Sequence, residues 1–108
     1  MFGWFGKKPT QADIDSQAKA AYEQSVEVFK RTWAELNPKA STPELLAYEI
    51  EQFSGSAIRF MYTKFPITKH APPSVLWMAV FTAVLESKTH PTDEVNKAVN
   101  LLRAKYVD

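Results

Sequence analysis

Residues 75–85 read VLWMAVFTAVL, and ten of these eleven positions are apolar, with Thr82 as the exception. The run is shorter than the roughly 18–20 apolar residues that a membrane-spanning helix requires. It also lacks the polar face of a helix that lies at a protein surface. A β-strand would need a pairing partner, and no other segment of the chain has a strand pattern. We therefore predict a helix over about residues 74–87 that is buried on most sides.

The segment that begins at residue 10 has the spacing of an amphipathic helix. Apolar and small residues recur at steps of three and four between Ile14 and Leu36, which predicts a helix over about residues 11–36. Leu36 is expected at the end of its buried stripe. Thr10 and Asp13 have the spacing of a capping box, with Asp in place of the usual Glu or Gln.

A second amphipathic helix is predicted between two prolines. Thr42 has the chemistry of an N-cap, and an apolar stripe runs from Leu46 to Phe65, where Pro66 ends the pattern. Residues 54–57 form a patch of small side chains. This patch indicates a close helix crossing, a mild kink, or a ligand that approaches the backbone.

The last segment completes an all-α pattern. Thr92 is the expected N-cap, and apolar residues recur from Val95 to Tyr106 at steps of four, three and four. We predict one helical domain of about four helices, bundle-like, over residues 10–108. An aromatic and basic N-terminal arm over residues 1–9 precedes it.

The composition excludes several classes of protein. The chain has 108 residues with no Cys, which excludes disulfide scaffolds, thiol nucleophiles and thiolate metal sites. Its net charge of +1 gives no general attraction to nucleic acid. In the arm, Lys7 and Lys8 follow the apolar residues, which is the reverse of the order in a secretory signal. We expect a cytoplasmic protein.

Catalytic chemistry is not indicated by the residues. His70 and His90 flank the helix predicted over 74–87, so they should lie roughly 20 Å apart at its two ends. The chain has 3 Gly and none of the glycine-rich phosphate or dinucleotide motifs. The sequence predicts no enzyme, no catalytic residues, no metal site and no cofactor.

A surplus of apolar and aromatic residues is the main functional signal. Either the apolar segment is central and the arm folds back to cover it, or apolar surface remains that binds another chain. The leading hypothesis is a small non-catalytic helical interaction module, acting as a regulator, inhibitor or adaptor, that binds another protein or forms a homodimer. The candidate partner-binding residues are Phe2, Trp4, Phe5, Tyr62, Trp77 and Phe81.

Two alternatives from other classes stay open. Residues 57–90 carry four bases and one acid, so the face from Arg59 to Lys88 would be the site of a nucleic-acid-binding regulator. Alternatively, the arm would dock on a membrane surface, with Phe2, Trp4 and Phe5 in the interface and the lysines at the headgroups. The sparse basic charge ranks nucleic acid below protein as a partner.

Overall fold

A computed structural model of the chain describes residues 10–36 and 39–107. Helices are the only regular elements in these two ranges, and no β-strand occurs in them. The α-helices are α1 (Gln11–Leu36), α2 (Pro43–Lys64), α3 (Pro73–Ser87) and α4 (Thr92–Tyr106). The predicted all-α, bundle-like domain of about four helices is confirmed. The aromatic arm over residues 1–9 lies outside the described residues.

The N-terminal caps of α1 and α2 are confirmed. The Asp13 amide donates to Thr10 Oγ1 at 3.1 Å, and the Thr10 amide donates to Asp13 Oδ2 at 3.2 Å. This reciprocal pair is a capping box, so Asp replaces the usual Glu without loss of the pattern. In α2, the Leu45 amide donates to Thr42 Oγ1 at 3.2 Å.

Two local predictions are wrong or incomplete. Thr92 is the first residue of α4 rather than its cap, because the amides of Glu94 and Val95 already donate to the Pro91 carbonyl. The 3₁₀ helix Pro66–His70 between α2 and α3 is not predicted by the sequence pattern. A short 3₁₀ turn leaves little periodicity to detect.

Helix α3 occupies the centre of the fold. It packs against α1, α2 and α4, and its buried residues are Leu76, Ala79, Val80, Phe81, Ala83 and Val84. The predicted helix that is buried on most sides is therefore confirmed. The central position of α3 accounts for its lack of a polar face, whereas the arm that the same explanation folds over it lies outside the described residues.

The relative directions of the helices follow from the side-chain contacts between them. Tyr22 Oη lies 3.3 Å from Thr82 Oγ1, and Trp33 Nε1 donates to Thr89 Oγ1 at 3.0 Å. The residue numbers rise together in these pairs, so α1 and α3 are parallel. Rings of α1 and α2 pair in the opposite order, since Trp33 contacts Phe53 whereas the earlier Phe29 contacts the later Phe60. Helix α2 is therefore antiparallel to α1.

Leu36 and Gly55 are exposed, although the sequence predicts burial for Leu36 and offers a close helix crossing at Gly55. Leu36 follows the buried stripe of α1 in register, yet 61% of it is exposed. The core ends one turn earlier, at Trp33, which is 1% exposed. Gly55 lies on the solvent side of α2, and a Cβ added there would meet nothing within 4 Å. A close crossing at Gly55 is therefore wrong, whereas its neighbours Ser54 and Ala57 are buried.

Candidate functional site

A groove opens between the C-terminal part of α1 and the N-terminal half of α2. Its volume is about 570 Å³. The residues that line this α1–α2 groove are Thr32, Trp33, Leu36, Tyr48, Glu49, Gln52, Phe53 and Ser56. The antiparallel packing of α1 and α2 places these side chains opposite one another.

The floor of the groove is aromatic. The rings of Trp33 and Phe53 lie 5.3 Å apart between centroids at an angle of 59°, and Phe29 packs on Phe53 edge to face at 6.1 Å. Trp33 is held because its indole N–H donates to Thr89 Oγ1. Because that donor is satisfied inside the protein and Trp33 is 1% exposed, Trp33 supports Phe53 from the core, and the half-buried Phe53 ring supplies apolar surface to the groove.

The rim of the groove carries exposed apolar side chains. Leu36 and Tyr48 are 61% and 60% exposed, and Leu45 lies one turn before Tyr48 on α2 and is 52% exposed. The large apolar residues that are most exposed in the described chain are Leu36, Leu45, Tyr48, Val75 and Leu101. Three of these five therefore lie at the groove or one turn from it, so exposed apolar side chains are concentrated at this groove.

The charge at the groove is negative. The residues that line it include one acid, Glu49, and no base. Glu49 lines the groove and makes no ion pair with any residue in the described ranges. An aromatic floor beside the Glu49 carboxylate suits an apolar ligand that carries a positive charge.

Two other cavities differ from the groove in the residues that line them. One, of about 510 Å³, lies where the first half of α1 faces the 3₁₀ helix, with Lys64 and His70 at its edge. None of the five strongly exposed apolar side chains lines it. Another, of about 540 Å³, lies between the start of α2 and α4 and includes Leu101, which is 50% exposed.

Of the sequence-predicted partner residues, the three that the structure describes, Tyr62, Trp77 and Phe81, do not line the α1–α2 groove. Phe2, Trp4 and Phe5 lie outside the described residues. Phe81 is 1% exposed and belongs to the core of the described fold. Trp77 is half-buried near it, with ring centroids 5.9 Å apart, and Tyr62 is half-buried against the core.

Trp77 belongs to a second cluster, where α2, α3 and α4 meet. Its ring stacks on Tyr106 with centroids 4.0 Å apart, and the Tyr106 hydroxyl donates to Glu51 Oε2. Lys105 Nζ donates to the same oxygen at 2.8 Å. The hydrogen bonds from Lys105 and then Tyr106 hold the pKa of Glu51 below its ordinary value, and the bond to Glu51 raises the pKa of Lys105.

The basic residues from Arg59 to Lys88 do not form one patch. Lys64 and Lys69 lie near the start of α3, whereas Lys88 follows its last residue. The 15 residues of α3 separate these two groups by ~22 Å. His70 and His90 likewise lie beyond opposite ends of α3.

The described residues contain neither a candidate metal site nor a candidate membrane-spanning helix. They contain no group of three or more His, Cys, Asp or Glu placed to hold a metal ion. No helix among them combines the length and the apolar character needed to cross a membrane.

Comparison of the chain with protein-family models, curated proteins and solved structures gave no match.

Sequence reasoning missed the residues of this groove for a specific reason. Leu36 is assigned to the core because it follows the α1 stripe in register. Leu45 and Tyr48 lie three residues apart on the face of α2 opposite the stripe that contains Ile50. Two large apolar residues on an otherwise polar helix face are a usable signal, and this is the signal that could have located the groove.

Proposed function

We propose that this protein is a small non-catalytic interaction module that binds an apolar segment of another protein in the α1–α2 groove. The observation that carries the proposal is the exposure of Leu36 and Tyr48 at the rim of a groove with an aromatic floor. Binding would cover both side chains and remove apolar surface from water, which is the main favourable term in protein association. A regulator, inhibitor or adaptor would act through such a surface.

The two rim residues and the floor have separate roles in this proposal. Tyr48 supplies a large side chain with few rotatable bonds, the kind of residue that dominates the binding energy of many interfaces. Leu36 faces it from the end of α1. Trp33 and Phe53 are fixed by the core and give the groove a preformed shape, which lowers the entropic cost of binding.

The proposal is tested by capture from the lysate of the native host with tagged protein, treated with nuclease. Tyr48→Ala removes the groove's most exposed ring, and Leu101→Ala is the matched control because Leu101 is similarly exposed on α4. We expect a protein that the wild type and Leu101→Ala capture equally and that Tyr48→Ala captures at least ~tenfold less. Equal capture by all three would contradict the groove as the binding site.

Nuclease treatment separates this function from the nucleic-acid alternative. Binding in the groove involves few phosphate contacts, so it should survive nuclease and depend weakly on salt. If all captured material disappears with nuclease, a protein-binding function is wrong, and the basic residues between Arg59 and Lys88 become the surface to mutate.

A further inference from the structure

We propose that the occupant of the α1–α2 groove is the N-terminal segment of a second copy of this chain. This inference rests on the proposed function, because it names the partner of the same groove. It is argued from the chemistry of residues 1–9 and from the length of chain that separates them from the groove.

The chemistry of the segment complements the groove. Residues 1–9 contain Phe2, Trp4 and Phe5 followed by Lys7 and Lys8, so three aromatic side chains precede two positive charges. The groove offers an aromatic floor and a negative charge. Aromatic rings pack favourably edge to face or offset against other rings.

The charges of the N-terminal segment and of the groove are also complementary. Glu49 is the one charged residue that lines the groove, it has no ion pair in the described ranges, and residues 1–9 carry a formal charge of +2. By contrast, the cavity beside the 3₁₀ helix has Lys64 and His70 at its edge. Two further lysines would be repelled by Lys64, which favours the α1–α2 groove as the acceptor of this segment.

The N-terminal segment is too short to reach the groove of the copy to which it belongs. Trp33 lies 23 residues beyond Thr10 along α1, which is ~35 Å at 1.5 Å per residue. Trp4 precedes Thr10 by six residues, which span at most ~22 Å when fully extended. Trp4 therefore cannot reach the floor of its own groove, and only a second molecule can place it there.

Reciprocal exchange would give a closed pair. If each copy inserts its N-terminal segment into the groove of the other, the two contacts are identical and related by a two-fold axis. The second contact then forms within the complex at a high effective concentration. Two small contacts together therefore give a more stable dimer than a single contact would give.

The test is the sedimentation of full-length variants, alone and mixed. Trp4→Ala weakens the inserted segment, and Leu36→Ala/Tyr48→Ala weakens the groove without touching a buried residue. We expect the wild type and the Leu101→Ala control to form dimers. Each of the other two variants alone should dimerise at least ~tenfold more weakly. A mixture of them should associate more strongly than either variant alone and more weakly than the wild type, because one of the two contacts still joins an intact groove to an intact segment.

Three results would overturn the inference. They are a wild type that stays monomeric up to ~1 mM, a Trp4→Ala variant that dimerises like the wild type, and a mixture that associates no more strongly than either variant alone. The proposed function fails differently. If Tyr48→Ala abolishes capture of an unrelated protein while Trp4→Ala leaves self-association unchanged, the groove binds a partner and the inference about the second copy is wrong.

Discussion

The indole ring of Trp77 lies flat against the phenol ring of Tyr106, with centroids 4.0 Å apart and planes inclined by 12°. Trp77 is in the second turn of α3, and Tyr106 is the last residue of α4. The Tyr106 hydroxyl also donates to Glu51 of α2. One side chain therefore attaches the end of α4 to two other helices, and this contact fixes the C-terminal part of the described fold.

Two substitutions of Tyr106 separate its ring from its hydroxyl. Tyr106→Phe keeps the stack on Trp77 and removes the hydrogen bond to Glu51, so we expect a loss of about 1 kcal/mol in the free energy of unfolding. Tyr106→Ala removes both contacts and should cost about 3 kcal/mol. Urea unfolding measures both values. Equal losses for the two variants would show that the stacked ring contributes nothing.

Acidification should weaken the contact at Glu51. The pKa of Glu51 is held below its ordinary value in the fold, chiefly by the hydrogen bond from Lys105. The ionised form is thus favoured by folding. Its contribution is complete above the ordinary pKa of Glu and is lost as the pH falls through the lowered value in the fold.

Glu51→Gln tests this linkage. The variant should be less stable than the wild type at pH 7, and the difference should shrink between about pH 5 and pH 3. Glu49→Gln is the control, because Glu49 makes no ion pair in the described ranges. A wild type and a Glu51→Gln variant with parallel stability curves over this range would contradict the role of Glu51.

Two buried serines differ in one hydrogen bond. Ser25 and Ser54 are both fully buried, in α1 and α2. Ser54 Oγ donates to the Ile50 carbonyl at 2.7 Å, whereas Ser25 Oγ has no hydrogen-bond partner among the described residues. An unpaired buried hydroxyl is destabilising, so Ser25→Ala should raise the free energy of unfolding by about 1 kcal/mol. Ser54→Ala should gain less, because it loses a hydrogen bond. Thermal unfolding of both variants decides this, and a larger gain for Ser54→Ala would be the contrary result.

Gly55 offers a further gain in stability. It lies inside α2 on the solvent side, and an added Cβ would meet nothing within 4 Å. Alanine is favoured over glycine in a helix interior by about 1 kcal/mol, so Gly55→Ala should stabilise the protein by up to that amount. The midpoint of urea unfolding measures it. A destabilised variant would mean that the backbone at Gly55 requires a conformation that alanine disfavours.

The sequence is sufficient to predict the helices, because their signals are local. The capping box of Thr10 and Asp13 and the cap at Thr42 depend on neighbours three residues away. The buried character of α3 follows from the absence of a polar face over residues 75–85. Each of these features is determined within a few turns of chain, so periodicity and capping chemistry are enough.

The groove could not be predicted in the same way, since it depends on which helices become neighbours. Periodicity assigns Leu36 to a buried stripe but gives no information on where the opposing helices end. The parallel packing of α1 on α3, through pairs such as Trp33 with Thr89, joins residues 56 positions apart. The antiparallel packing of α1 and α2, seen in the contact of Trp33 with Phe53, places Leu36 opposite Tyr48 at the groove, and both are exposed.

Cross-linking from position 48 tests the central claim most directly. Tyr48 is replaced by a photoreactive benzoylphenylalanine in the native host, with Leu101 replaced in the same way as the control. A protein-binding groove predicts one dominant cross-linked protein from position 48 and none of it from position 101. The cross-linked peptide would come from residues 1–9 if a second copy is the occupant, and from another protein if it is not. Position 48 yielding no protein adduct beyond the control would contradict the account.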